Sequence, residues 1–165
     1  MHFSKDDIHA MSQSDFFGPG NAQLPSDNML MIDKITDINQ EGGLYQRGEL
    51  KASFKIHSSQ WFFACHFKGD PVMPGCLGLD ALWQLLGVYL GWQGLAGRGR
   101  ALGVGQVKFT GQIYPDSEQI DYHIHIKRVF RKPMPMGIAD GFVFKAGEKI
   151  YEAKDLRVGL IKAGQ

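Results

Sequence analysis

The sequence predicts an α+β fold in which a curved antiparallel β-sheet wraps one long apolar helix. Residues 76–92 are apolar on nearly every side of a helix, and such a helix must be enclosed by other elements. The chain after this run is mostly strand-like. Residues 119–129 alternate apolar with polar side chains, as expected for an antiparallel strand with one buried face. A single helix covered by a sheet is therefore the predicted layout.

The first third of the chain contains signals for a helix, a loop and a strand. Ser4 before an acid at Asp7 is typical of a helix N-cap, which predicts a short helix over Lys5–Gln13. The next segments follow from turn residues and apolar patterning. They are a loop over residues 16–28, a short apolar element over 29–35, a turn over 39–43 and a strand over 48–56.

The long helix and the later strands come next. The aromatic run 61–67 fits either an extended segment or a short helix. Pro74 and Gly75 predict the start of the long helix, and the glycines over residues 91–99 predict its end. The remaining predicted strands cover residues 101–110 and 119–129, followed by a hairpin with strands over 136–144 and 149–161.

Composition favours one soluble domain over residues 1–165. Hydrophobic residues make up 44% and charged residues 21% of the chain, and the net charge is +1. No overall field therefore attracts nucleic acid or membrane. The apolar run 76–92 has about the minimum length of a bilayer span, but it contains Asp80 and Gln84, which favour a buried helix. The first residues lack the apolar stretch of a signal peptide, so we expect a cytoplasmic protein.

His66 and Asp80 are the candidate acid and base. Each is flanked by hydrophobic residues, and burying ionisable groups without partners is costly. Such a pair suits proton transfer on an apolar substrate. The two residues are too far apart in sequence to touch on one helix, so they can meet only through tertiary or quaternary structure. The alternative is a hydrogen-bonded Asp–Gln pair that only fixes packing.

The start of the long helix adds to this candidate site. Cys76, Asp80 and Gln84 are spaced i, i+4 and i+8 and share one helix face. The first N–H groups of the helix, at Gly75, lack intrahelical acceptors and could stabilise an enolate oxygen. Thiol catalysis by Cys65 or Cys76 is an alternative, although no positive site that would stabilise a thiolate is evident.

Two further clusters have a functional and a structural interpretation. His123 and His125 share a strand face and could bind a metal, but no third ligand is evident, so solvated side chains and no metal are predicted. A basic cluster could dock an acidic partner or simply keep a sheet edge soluble. Its members are Lys127, Arg128, Arg131, Lys132 and Arg157.

The segment CHFKGDPVMPGCLGLDALWQLLG closely resembles the bacterial 3-hydroxydecanoyl-acyl-carrier-protein dehydratase/isomerase family of type II fatty acid synthesis. The similarity extends to FFGPGNAQLP, GRALGVGQVKFTGQ and DLRVGL. The resemblance implies a hot-dog fold and a homodimer, with His66 and Asp80 as the catalytic pair across the subunit interface. It also implies roles in oxyanion stabilisation and substrate binding for Gly75, Cys76, Val72 and Gln84.

The activity implied by the resemblance is dehydration of 3-hydroxydecanoyl-class thioesters to trans-2-enoyl thioesters, followed by isomerisation to the cis-3 isomer. The acyl chain would arrive on the phosphopantetheine arm of acyl carrier protein, with no other cofactor. Aspartate at position 80 favours the bifunctional group, because related dehydratases without isomerase activity usually have glutamate there. The alternatives are a plain dehydratase, a hot-dog thioesterase and a non-catalytic module that binds the carrier.

Overall fold

A computed structural model describes residues 1–162, which form one curved antiparallel sheet around a central helix. The helices are α1 (Lys5–Gln13), α2 (Trp61–Cys65) and α3 (Gly75–Trp92), with a 3₁₀ turn at Asp27–Met29. The strands are β1 (Lys34–Asn39), β2 (Glu49–Lys55), β3 (Arg98–Gly103), β4 (Gln106–Phe109), β5 (Gln119–Phe130), β6 (Met136–Lys145) and β7 (Glu148–Ile161). Their order in the sheet is β1-β2-β5-β6-β7-β3, and β4 also pairs with β7.

The predicted first helix is confirmed, together with its cap. The Ser4 hydroxyl accepts a hydrogen bond from the Asp7 backbone N–H at 3.2 Å, and the Asp7 carboxylate accepts one from the Ser4 N–H at 2.8 Å. This reciprocal capping box satisfies two N–H groups that the first helical turn leaves unpaired. Ile8 and Met11 are buried, so one face of α1 joins the core.

The central helix α3 is enclosed by the sheet, as predicted. Its buried side chains include Leu82, Leu85 and Leu86, which are at most 1% exposed. They pack in the core with side chains of β5, β6 and β7. Within residues 1–162, no helix combines the length and hydropathy needed to cross a bilayer. The burial of Leu82, Leu85 and Leu86 inside the sheet accounts for the apolar character of α3.

Two predicted elements were wrong in their boundaries. Residues 101–110 form two strands instead of one, with a break at residues 104–105, between the pairs Gly103–Arg157 and Gln106–Lys154. Gly105 then donates its N–H to the Lys154 carbonyl at 2.8 Å, next to Asp155, whose φ of 56° marks an irregularity in β7. The apolar element predicted over residues 29–35 is split between the end of the 3₁₀ turn, an extended link and the start of β1.

The structure also shows which conformation the aromatic run adopts and whether the C-terminal hairpin forms. The aromatic run after Gln60 forms the short helix α2, with Phe62 and Phe63 buried. The predicted C-terminal hairpin is confirmed, and its turn at Ala146 and Gly147 has φ values of 50° and 79°. Two successive positive φ values suit the twist of a tight hairpin.

Candidate active site

His66 lies directly after α2, where two hydrogen bonds to one residue hold it. Its Nδ1 is 2.8 Å from the Val72 carbonyl oxygen, and the Val72 N–H donates to the His66 carbonyl at 2.8 Å. A carbonyl only accepts, so Nδ1 must carry the ring proton. The neutral ring therefore has its basic lone pair on Nε2. Val72 acts here through its backbone as the residue that sets the tautomer.

His66 borders a cavity of about 450 Å³ that the start of α3 also lines. Gly75 is the first residue of α3, so its N–H has no intrahelical acceptor and lies at the positive end of the helix dipole. A base and a hydrogen-bond donor for an oxyanion therefore meet at one cavity. Its lining residues are His66, Phe67, Val72, Met73, Gly75, Cys76, Phe109, Thr110, Gly111, Gln112 and Tyr151.

Tyr151 also lines this cavity, although no sequence motif indicated a role for it. Burial raises the pKa of Tyr151 to about 12, with a smaller contribution from Cys76, so its phenol stays protonated at neutral pH. The ring makes an edge-to-face contact with Phe109 at 4.8 Å. Only the pairing of β4 with β7, which sets Phe109 opposite Tyr151, brings this residue to the site, and no local pattern indicates it.

Asp80 and Gln84 are in contact on α3, as their spacing predicts. The Gln84 amide nitrogen donates to Asp80 Oδ2 at 2.7 Å and to the Met29 carbonyl at 2.8 Å. The Gln84 Oε1 accepts from the Met31 N–H at 3.3 Å. Both ends of the amide are therefore engaged, and one oxygen of the carboxyl is held by a fixed donor.

Asp80 and His66 do not share a cavity within one chain. Asp80 lines a separate cavity of about 170 Å³. One wall of that cavity comes from the edge strand β3, through Gly99, Arg100 and Ala101. A single described chain therefore keeps the candidate base and the candidate acid apart.

Within the described residues 1–162, Lys127 is the member of the basic cluster that forms salt bridges. Strand pairing sets Arg128 opposite Ile138 and Ile138 opposite Arg157, so the two arginines lie two strands apart in one row. Lys127 is instead engaged by Asp155 at 2.7 Å. Arg47, which lies outside the cluster in the sequence, lines one cavity with Arg128.

Arg131 and Lys132 are exposed on the connection between β5 and β6. Arg128 and Arg157 are also exposed, so these four side chains contribute positive charge to the protein surface. Clustered positive charge on a protein surface can attract negatively charged molecules over long range.

The prediction that His123 and His125 are solvated was wrong for His125, which is 6% exposed. The Leu44 N–H donates to His125 Nδ1 at 3.0 Å, because the loop between β1 and β2 folds over this face of the sheet. The third acidic or imidazole group that the sequence did not reveal is Glu49, whose Oε2 lies 3.0 Å from His123 Nε2.

These three side chains bring their potential ligand atoms within 4.8 Å of one another. However, His125 Nδ1 already accepts a hydrogen bond, so the proton of the neutral ring lies on Nε2 and neither nitrogen offers a free lone pair. The arrangement fits a hydrogen-bond network better than a metal centre.

Comparison with known proteins gives one family match and several structural matches. A model of the FabA-like domain matches residues 24–154. A chain of the dehydratase heterocomplex ApeI:P from Xenorhabdus doucetiae matches with a TM-score of 0.65 and 16% identity, over 85% of this chain and 89% of that chain. AziG from S. sahachiroi matches with a TM-score of 0.54 and 10% identity, over 78% and 90% of the two chains.

An uncharacterized protein from Erwinia carotovora subsp. atroseptica has a TM-score of 0.51 and 13% identity, over 79% of this chain and 94% of that chain. At these identities the structural matches show a shared fold, in agreement with the α+β layout observed here. They carry no argument about substrate.

Proposed function

Because the chain belongs to the FabA-like family of hot-dog dehydratases, we propose that it dehydrates 3-hydroxydecanoyl-class thioesters. In this proposal it also isomerises the trans-2-decenoyl product to the cis-3 isomer. Both reactions would serve unsaturated fatty acid synthesis. The observation that carries the proposal is the hydrogen bond from His66 Nδ1 to the Val72 carbonyl, in the cavity that the first residue of α3 also lines. It supplies a base of fixed tautomer beside an oxyanion donor.

In the dehydration step, His66 Nε2 removes the proton from C2 of the substrate. The Gly75 N–H donates to the thioester oxygen as negative charge develops there. The electron pair of the C2–H bond forms the C2=C3 double bond, and the C3–O bond breaks. Asp80 gives its proton to the departing hydroxyl, which leaves as water. Exchange with solvent then removes the extra proton from His66 and reprotonates Asp80.

Isomerisation uses the same groups on the bound product. A proton is removed from C4, the double bond moves from C2–C3 to C3–C4, and a proton is delivered to C2. No atom is gained or lost. Gln84 holds the Asp80 carboxyl during both steps, while Cys76 and Val72 border the acyl thioester.

The complete site is proposed to form between two copies of the chain. Two observations support this proposal. His66 and Asp80 line different cavities of one chain, and β3, which forms a wall of the Asp80 cavity, is the last strand in the sheet order. An edge strand presents unpaired N–H and C=O groups that a second copy can pair with. Leu102, on this strand, is 49% exposed, so pairing would also cover an apolar side chain.

The proposed carrier of the substrate is acyl carrier protein, whose phosphopantetheine arm would bring the acyl chain to the cavity. Charge complementarity supports docking of this acidic partner on Arg128, Arg131, Lys132 and Arg157. Lys127 would contribute least, because Asp155 already compensates its charge. No other cofactor and no metal are needed for the proposed chemistry.

Incubation of the protein with 3-hydroxydecanoyl thioester, followed by mass spectrometry with assignment of the double-bond position, tests the proposal. Both trans-2 and cis-3 decenoyl thioesters are expected. Trans-2 product alone would indicate a plain dehydratase, free acid would indicate a thioesterase, and an absence of turnover would favour a binding module. The Asp80→Asn variant should lose nearly all dehydration, and retention of most of the rate would contradict the role of Asp80 as acid.

A further inference from the structure

We propose that residues 28–31 form a positioning strap for Asp80 and that Tyr122 anchors this strap. The inference rests on the proposed function, because Asp80 is the proton donor there. Neither the strap nor Tyr122 touches the reacting atoms in this proposal. They act by fixing the orientation of Gln84, which in turn holds the Asp80 carboxyl.

Side chains from three separate elements hold the backbone of the strap. The Trp61 indole N–H, from α2, donates to the Asn28 carbonyl at 3.0 Å. Gln84, from α3, donates to the Met29 carbonyl and accepts from the Met31 N–H. The Tyr122 hydroxyl, from β5, donates to the Met31 carbonyl at 2.8 Å. A segment whose backbone makes four hydrogen bonds to side chains is fixed relative to all three elements.

Tyr122 is suited to the role of a permanent anchor. It is 1% exposed, and burial raises the pKa of its phenol well above the ordinary value. The phenol therefore remains a donor throughout the working pH range, and the Met31 carbonyl is its acceptor in the described residues. Loss of this bond would leave a buried carbonyl without its donor. Because an unsatisfied buried acceptor is costly, the hydrogen bond stabilises the position of the strap.

The strap decides which end of the Gln84 amide faces Asp80. An amide side chain can present either its oxygen or its NH₂ group, since the two ends have nearly the same shape. The Met31 N–H requires the Gln84 oxygen, and the Met29 carbonyl requires the Gln84 nitrogen. This arrangement directs an N–H of Gln84 at Asp80 Oδ2. If the strap moved, the amide could rotate and place its oxygen against the carboxyl.

The hydrogen bonds therefore form a continuous chain from the sheet to the candidate acid. It runs from Tyr122 to Met31, from Met31 to Gln84 and from Gln84 to Asp80, with donor–acceptor distances of 2.8, 3.3 and 2.7 Å. A small displacement of a reacting group far from the chemistry can reduce a rate substantially. Removal of the Tyr122 hydroxyl alone should consequently slow turnover.

The Tyr122→Phe variant removes that hydroxyl and keeps the ring. We expect kcat to fall by about fivefold to twentyfold, with KM within about twofold, because substrate binding does not use the strap. Hydrogen exchange followed by NMR provides a readout that does not depend on activity. Protection of the Met31 amide should fall by about tenfold or more, while that of the Ile124 amide, on the same strand as Tyr122, should not change.

Tyr89→Phe is the matched control. Tyr89 is 2% exposed and lies on α3 itself, but its hydroxyl makes no hydrogen bond to the strap within residues 1–162. It should retain wild-type kcat and wild-type Met31 protection. Trp61→Phe removes the hydrogen bond to the Asn28 carbonyl at the other end of the strap. Because Trp61 is 43% exposed, this variant should give a smaller loss of kcat than Tyr122→Phe. It serves as the second test if Tyr122→Phe folds poorly.

Unchanged Met31 protection in Tyr122→Phe would overturn the proposal, as would an equal loss of kcat in Tyr89→Phe. If the wild-type protein does not turn over 3-hydroxydecanoyl thioester, the proposed function fails. The exchange measurement would then still decide whether Tyr122 anchors the strap.

Discussion

Acidification should destabilise the folded chain through His125. Burial lowers the pKa of His125 to about 4, and the neighbouring charge of His123 adds to this effect. In the unfolded chain the same imidazole takes up its proton near the ordinary value of 6.5. Between these two values the unfolded chain binds more protons than the folded chain, so stability is lost as the pH falls.

The magnitude follows from the two pKa values. A difference of one pKa unit corresponds to about 1.4 kcal/mol, so the full loss below pH 4 is about 3 kcal/mol. Linkage places about 2 kcal/mol of this loss between pH 7 and pH 5. Burial raises the pKa of nearby Glu49, but hydrogen bonds from His123 and Asn39, together with the charges of Lys51 and His123, outweigh it, so the pKa lies below its usual value. The loss of stability from Glu49 protonation therefore occurs mainly below this window.

Urea denaturation at several pH values between about 5 and 7 measures the effect. His125→Gln keeps a hydrogen-bond acceptor for the Leu44 N–H but cannot titrate. The wild-type protein should lose about 2 kcal/mol more than this variant across the window. His123→Gln, as a control, should keep most of the wild-type pH dependence. Parallel stability curves for wild type and His125→Gln would refute the reasoning.

Two further predictions concern packing and docking. Gly78→Ala would place a Cβ 2.6 Å from the Tyr151 ring and should lower the free energy of unfolding by about 1–3 kcal/mol in urea titrations. Gly87→Ala would place a Cβ with nothing within 4 Å and should raise the free energy of unfolding by up to about 1 kcal/mol. Equal effects of the two substitutions would contradict the packing seen here. Reversal of Arg128 and Arg131 to glutamate should raise KM for the carrier-bound substrate about tenfold or more and leave KM for a small thioester analogue unchanged. An equal loss on both substrates would exclude docking on this surface.

Local sequence patterns correctly predicted the elements that depend on contacts between residues close together in the sequence. Ser4 and Asp7 specify the start of α1 through contacts three residues apart. The alternation over β5 identified Ile120 and Ile124 as core residues, and both are fully buried. The spacing of Asp80 and Gln84 predicted their contact, because neighbours at i and i+4 always share a helix face.

The errors lie where a distant segment changes the environment of a residue. His125 sits on the polar face of an alternating strand, yet it is buried because the loop before β2 covers it. The break between β3 and β4 depends on an irregularity in β7, around Asp155, that is about fifty residues away in sequence. Sequence periodicity reports which face a side chain takes, and it carries no information on what later covers that face.

The sequence by itself therefore determined the α+β layout, the central helix and the candidate residues His66 and Asp80, since each of these depends on residue type and short spacing. Tertiary structure alone decided three other features. It set the tautomer of His66 through Val72, brought Tyr151 to the His66 cavity, and placed residues 28–31 between Gln84 and Tyr122. Each of these requires backbone groups or strands that are distant in sequence to meet with hydrogen-bond geometry, which depends on the whole fold.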